Sequence, residues 1–205
     1  VPHGNPGTMS RREMSSLRGV NISMGVMLEI LSEKLCLPGG PHHLAPSKWP
    51  RARLKTLQIA GQLSIPFTTG ILIGIGETRA ERIESLLAIR DLHRKYDHIQ
   101  EVIIQNFRAK PNTPMEYHPD ASTNDLLWTV AVARIILGKN ANIQVPPNLS
   151  SQNYHLFLLA GINDWGGVSP LTIDYVNPES PWPLLSQLRR RTEDMGFELK
   201  PRLPI

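Results

Sequence analysis

Short apolar runs alternate with helix-period segments along this chain, and no hairpin turn signal joins neighbouring runs. That alternation restricts the fold more than any other feature, because parallel strands need a crossover between them and a helix is the usual one. Residues 20–23 read as a first short strand. Leu28, Leu31 and Leu35 then share one helical face, stopped by Pro38-Gly39-Gly40. A second helix carries Leu54 and Leu57 inward and stops at Gly61, and residues 65–74 form an apolar strand with few polar positions, as in sheets covered on both faces.

Thr78-Arg-Ala-Glu81 is a capping box, so a helix begins there and runs through Ile83, Leu86 and Leu87. Val102-Ile103-Ile104 is the next strand. Leu126, Val130, Ala133 and Leu137 mark a helix ended by Gly138, and residues 142–145 form another short strand. A helix from about Leu149 closes at Gly161, and a last one spans residues 184–195. The fold class is therefore α/β, a parallel sheet that is open or closed into part of a barrel, with too few strands for a complete eight-stranded one. One domain is expected over residues 1–205, with a proline-rich tail from about residue 170.

Composition narrows the function classes. The 205 residues, 40% of them hydrophobic, can build a sizeable core. The net charge of +4 is modest, and Arg11-Arg12 and Arg189-Arg190-Arg191 lie near opposite ends with no aromatic-rich motif, so nucleic acid is not the favoured partner. Cys36 stands alone, which excludes an internal disulfide and any thiolate cluster held by this chain by itself. No run approaches the roughly 18 apolar residues of a membrane helix and no secretion signal is visible, so a soluble, cytoplasmic protein is expected. The sequence opens with Val1, not methionine, and an upstream part is expected.

The stretch Gly70-Ile-Leu-Ile-Gly-Ile-Gly-Glu77 places three glycines in or beside a buried strand and ends on a carboxylate. A dinucleotide loop is a poor reading, since Arg79 stands where the third glycine would, and the Gly-Lys-Ser/Thr of a P-loop is missing. Two readings remain: the glycines relieve crowding against a neighbouring element, or they let a flat ligand approach the strand at its C-terminal end.

The same residues resemble the adenine-supporting strand motif of radical S-adenosylmethionine enzymes, G-x-I-x-G-x-x-E, with Leu72 in place of isoleucine. The likeness continues through Ile65-Pro-Phe-Thr-Thr69, Gln105-Asn106-Phe107, Lys110-Pro111, Ala160-Gly-Ile-Asn-Asp-Trp-Gly-Gly-Val-Ser-Pro170, Val176-Asn-Pro-Glu179 and Pro181-Trp-Pro183. These segments together resemble the deazaflavin-forming FO synthase family. The resemblance covers nearly all of the chain, and Asn163-Asp-Trp-Gly-Gly167 is its most specific part.

That resemblance implies the C-terminal part of a TIM-type β/α barrel of the radical S-adenosylmethionine class. It implies S-adenosylmethionine and a 4Fe-4S cluster as cofactors, the cluster held by a Cys-x-x-x-Cys-x-x-Cys loop that this chain lacks and that is expected upstream of Val1. Gly70, Leu72, Gly74 and Glu77 would then support the adenine, Arg53 the methionine carboxylate, and Glu29 with Ser23 the ribose or the methionine amine. Gln105, Asn106, Asn163 and Asp164 would read a polar substrate. The implied reaction is the radical cyclisation that completes 7,8-didemethyl-8-hydroxy-5-deazariboflavin from the hydroxybenzyl adduct of ribityl-diaminouracil, with release of ammonia. A lyase or synthase of this type needs an electron donor such as ferredoxin or flavodoxin. A partner radical enzyme, separate or fused, supplies the adduct.

Two other readings follow from the same residues: the hydroxybenzyl-transferring partner enzyme itself, and a cluster-less binding module, the fragment alone being inactive. No catalytic residue emerges. His42-His43 lacks a third ligand at metal spacing, so these are expected to be loop histidines, one of them facing the site, and Cys36 is expected to be a small buried residue that tolerates replacement.

Overall fold

The computed structural model describes residues 2–203. Five strands form one all-parallel sheet in chain order: β1 (His3–Gly4), β2 (Ser23–Gly25), β3 (Phe67–Ile73), β4 (Ile99–Asn106) and β5 (Ile143–Gln144). Consecutive parallel neighbours joined by crossovers make the connectivity of a β/α barrel segment. Asp164 adds a further parallel bridge to Gln144 at the far edge.

The helices are α1 (Arg11–Arg18), α2 (Pro50–Gln62), α3 (Arg79–Tyr96), α4 (Thr123–Leu137), α5 (Leu156–Ala160) and α6 (Leu185–Asp194). The core lies between them and the sheet, where Phe67, Ile71, Ile73, Ile104, Leu86, Ile89 and Val130 are fully buried. Thr78 caps α3 reciprocally with Glu81 as the sequence requires, and Gly138 ends α4. Among the described residues no helix is long and apolar enough to cross a membrane.

Several local expectations are corrected. The first strand is β2, displaced to Ser23–Gly25, and a strand and a helix precede it. The N-terminal residues, for which no strand is expected, pair with β2 through His3↔Ser23 and Gly4↔Met24. Ser10-Arg-Arg-Glu13 is a second capping box, and it starts α1.

No α-helix forms over residues 28–35. Leu28 donates its N–H to Thr69 Oγ1 at 3.2 Å and Glu29 to the Gly70 carbonyl at 3.0 Å, so the segment follows the edge of β3 before a single 3-10 turn at Glu33–Cys36. Gly61 does not stop α2 but lies inside it. A Cβ there would sit 2.6 Å from the Tyr96 ring, so the glycine serves the close packing of α2 on α3. The helix expected from Leu149 is a 3-10 turn, Pro147–Ser150, followed by α5, which Gly161 closes in the left-handed conformation.

The inner cavity and its charged end

Strand register decides which side chains meet. Thr68 pairs with Glu101, Gly70 with Ile103, Leu72 with Gln105, and Ile103 with Gln144, so these residues share one face of the sheet. Gly25 pairs with Thr68 and His3 with Ser23, which brings the first two strands onto the same face. A cavity of about 550 Å³ opens there, bounded by Glu29, Arg53, Glu101, Gln105, Gln144 and the N-terminal strand with His3 and Asn5. That volume suits a nucleoside-sized ligand.

Charge is concentrated at one end. Glu29 leaves the sheet with φ +64, a conformation that side chains rarely adopt, and its carboxylate is buried. Arg53 Nη1 lies 3.1 Å from Glu29 Oε1, His42 Nε2 lies 2.9 Å from Oε2, and Lys48 Nζ donates to Oε1. Burial disfavours the charged form, yet His42, Arg53 and Lys48 outweigh it and hold Glu29 at about 2. Arg53 is itself buried. Its Nε donates to the Ser47 carbonyl at 3.0 Å and its Nη1 to the Met27 carbonyl, while its Nη2 makes no hydrogen bond among the described residues.

At the other end, Glu101 Oε2 accepts from Arg202 Nη2 at 3.0 Å, and Arg202 Nε donates to Asp164 Oδ2 at 2.6 Å. Burial and the nearby Asp164 push the Glu101 carboxyl upward against the pull of Arg202. His3, 2.7 Å from Ser23 Oγ through Nδ1, has its pKa lowered by burial.

The residues singled out in the sequence divide into groups. Glu29, Arg53 and Gln105 line the cavity, and Ser23, Gly70 and Leu72 share its sheet face. A Cβ on Gly70 would stand 2.1 Å from the Ile103 carbonyl oxygen, so strand approach alone requires glycine at this position. Gly74 and Gly76 turn with φ +89 and +105 past the strand end.

Glu77 holds that turn. Its fully buried carboxylate accepts from the Gly74 and Ile75 N–H groups, both at 2.8 Å, and from Arg82 at 2.7 Å. Asn106 faces away from the cavity, donates to the Leu149 carbonyl, and lines a separate polar cleft of about 450 Å³. Asn163 is engaged in the wall by Ile143 N–H, Arg134 and Asn142, and Asp164 by Gly166 N–H and Arg202.

His3, Asn5, Glu101 and Gln144 line the cavity without having been singled out. Extending the Val102 strand one residue back would have placed Glu101 on the side of Ile103 and Gln105, by the two-residue period of a strand.

The residues fit the two implied cofactors unequally. A buried arginine fork and lysine beside a carboxylate match the opposed charges of an α-amino acid, as S-adenosylmethionine carries at its methionine end. The cluster does not fit this chain: Cys36 is buried and alone, and among the described residues no three His, Cys, Asp or Glu side chains are grouped to hold a metal.

No family model matches the chain. It is 59% identical over 205 residues to the 7,8-didemethyl-8-hydroxy-5-deazariboflavin synthase of Methanopyrus kandleri, covering all of this chain and 61% of that protein. It is 56% identical to the FO synthase of Streptomyces avermitilis over 206 residues, all of this chain and 24% of that one. The chain thus spans less than two thirds of the relatives it matches. Among solved structures, the FeFe-hydrogenase maturase HydG from Carboxydothermus hydrogenoformans superposes with a TM-score of 0.70 at 18% identity, covering 95% of this chain and 47% of that one. Methylornithine synthase (PylB) does so with a TM-score of 0.70 at 19% identity, covering 97% of this chain and 58% of that one. Those two likenesses concern the fold alone, and they agree with the parallel β/α connectivity of the sheet. Over its whole length this chain is homologous to these FO synthase (deazariboflavin synthase) proteins.

Proposed function

We propose that this chain forms the S-adenosylmethionine-binding and substrate-binding wall of an enzyme that makes 7,8-didemethyl-8-hydroxy-5-deazariboflavin. The substrate is the hydroxybenzyl adduct of ribityl-diaminouracil, closed to the deazaflavin ring system with loss of ammonia. The observation that carries this reading is the buried Glu29–Arg53 pair on the cavity wall, beside the sheet face that bears Gly70.

In this reading Arg53 takes the methionine carboxylate with its fork of donors, and Glu29, kept anionic, takes the amine or ribose hydroxyls. His42 and Lys48 hold Glu29 in place. S-adenosylmethionine, when bound, would supply the radical chemistry of the reaction. The described residues of this chain offer no ligand set for a cluster, and ferredoxin or flavodoxin would be the electron donor. The chain's own task is to bind, orient and exclude water.

The test has two steps. The coding sequence upstream of Val1 is read for a Cys-x-x-x-Cys-x-x-Cys loop, and the intact polypeptide, reconstituted without oxygen, is given S-adenosylmethionine, reductant and the adduct. The deazaflavin together with 5′-deoxyadenosine is the expected product. Either a missing loop or failure to cleave S-adenosylmethionine refutes the proposal.

A further inference from the structure

Gln144 has no hydrogen-bond partner for its side chain among the described residues, although it is only 8% exposed and lines the cavity. The amide bonds to no protein group among the described residues and lies on the cavity wall, so its donors and acceptor are left for whatever fills that space. The amide also has a built seat. A Cβ on Gly166 would stand 2.0 Å from Gln144 Nε2, and Gly166 holds φ +74, so the Asn163–Gly167 segment leaves the space the amide occupies. The parallel bridge Gln144↔Asp164 fixes the two segments side by side.

Its neighbours on that face are polar as well. Gln144 pairs with Ile103, and Glu101 and Gln105 flank Ile103 two residues to either side on the same face. Gln105 likewise makes no side-chain hydrogen bond among the described residues, while Glu101 is anchored from behind by Arg202. The wall therefore offers amide donors and acceptors beside a carboxylate acceptor.

We propose that Gln144, seated on Gly166 and flanked by Glu101, reads the amide-like edge of a ring, a C=O beside an N–H, as an imide or ureide presents. This rests on the reading of the cavity as the ligand site and adds to it the recognition element that selects a pyrimidinedione-like ligand. Gln144 is a specificity-determining residue, and Gly166 positions it.

The test uses the intact, cluster-loaded protein and two titrations, one with S-adenosylmethionine and one with 5-amino-6-ribitylaminouracil. Gln144→Leu is expected to weaken uracil binding about tenfold, as loss of two hydrogen bonds to a ring edge should, and to leave S-adenosylmethionine affinity unchanged. Gly166→Ala is expected to do the same by displacing the amide. Because the Gln144 amide bonds to no protein group among the described residues, Gln144→Leu should leave the melting temperature of the ligand-free protein within about 2 °C of wild type. A purely structural glutamine would instead lower it, which would overturn the proposal. Unchanged uracil affinity in Gln144→Leu would mean that only water meets the amide, and would overturn it too. Loss of S-adenosylmethionine binding by the wild type would defeat the reading of the cavity itself, a separate failure.

Discussion

Glu77→Gln is the most informative stability perturbation. The native carboxylate is wholly buried and accepts three short hydrogen bonds, from Gly74 N and Ile75 N at 2.8 Å each and from Arg82 Nε at 2.7 Å, with Arg82 Nη2 in ion-pair contact at 2.6 Å. An amide has one acceptor oxygen and a nitrogen that donates, so at least one of these donors faces another donor. Arg82 keeps Asp125 at 2.5 Å and Thr129 at 3.1 Å, which places the cost at the lower end for a broken buried pair. The expected loss is about 3 kcal/mol, a fall in melting temperature of roughly 6–12 °C for a domain of this size. Calorimetry or circular dichroism melting of the intact protein measures it. A melting temperature within about 2 °C of wild type would show that the strand-end turn does not depend on this carboxylate.

Other expectations follow from single sites. Glu29 has its folded pKa depressed from 4.5 to about 2, so its stabilising contribution is complete above pH 4.5 and disappears as pH falls towards 2. Acid titration of wild type against Glu29→Gln should show that slope only in wild type, and equal slopes would contradict the buried charge cluster. Gly61→Ala should destabilise by about 1–2 kcal/mol despite alanine's helix preference, because Tyr96 Cβ and Cγ block the new methyl; a rise in chemical-denaturation stability would refute the contact. Cys36→Ala removes a small buried side chain with no thiol partner and should cost about 1 kcal/mol. Deazaflavin formation should be retained, and its loss would assign Cys36 a chemical role.

Much of this was legible in the sequence for physical reasons. The Thr78 capping box is a local motif, and the apolar run before it could only be a covered strand. The segment from Leu28 was not legible, because its leucine spacing imitates a helix while its backbone bonds go to Thr69 and Gly70 of β3. Its path depends on Glu29, whose partners His42, Lys48 and Arg53 lie 13 to 24 residues further on. Asn106 and Asn163 show a different limit: their polarity suggested ligand contact, but strand parity turns one outward and neighbouring backbone engages the other. Gln144 carries no motif of its own, and only the register that sets it beside Ile103 and over Gly166 makes it noticeable.

The central claim, that the Glu29–Arg53 end of the cavity holds the methionine part of S-adenosylmethionine, is tested most directly by calorimetric titration of the reconstituted intact protein. Wild type is compared with Arg53→Lys, which keeps the charge and removes the fork. Affinity is expected to fall about tenfold or more in the variant. Equal affinity in the two proteins would contradict the claim.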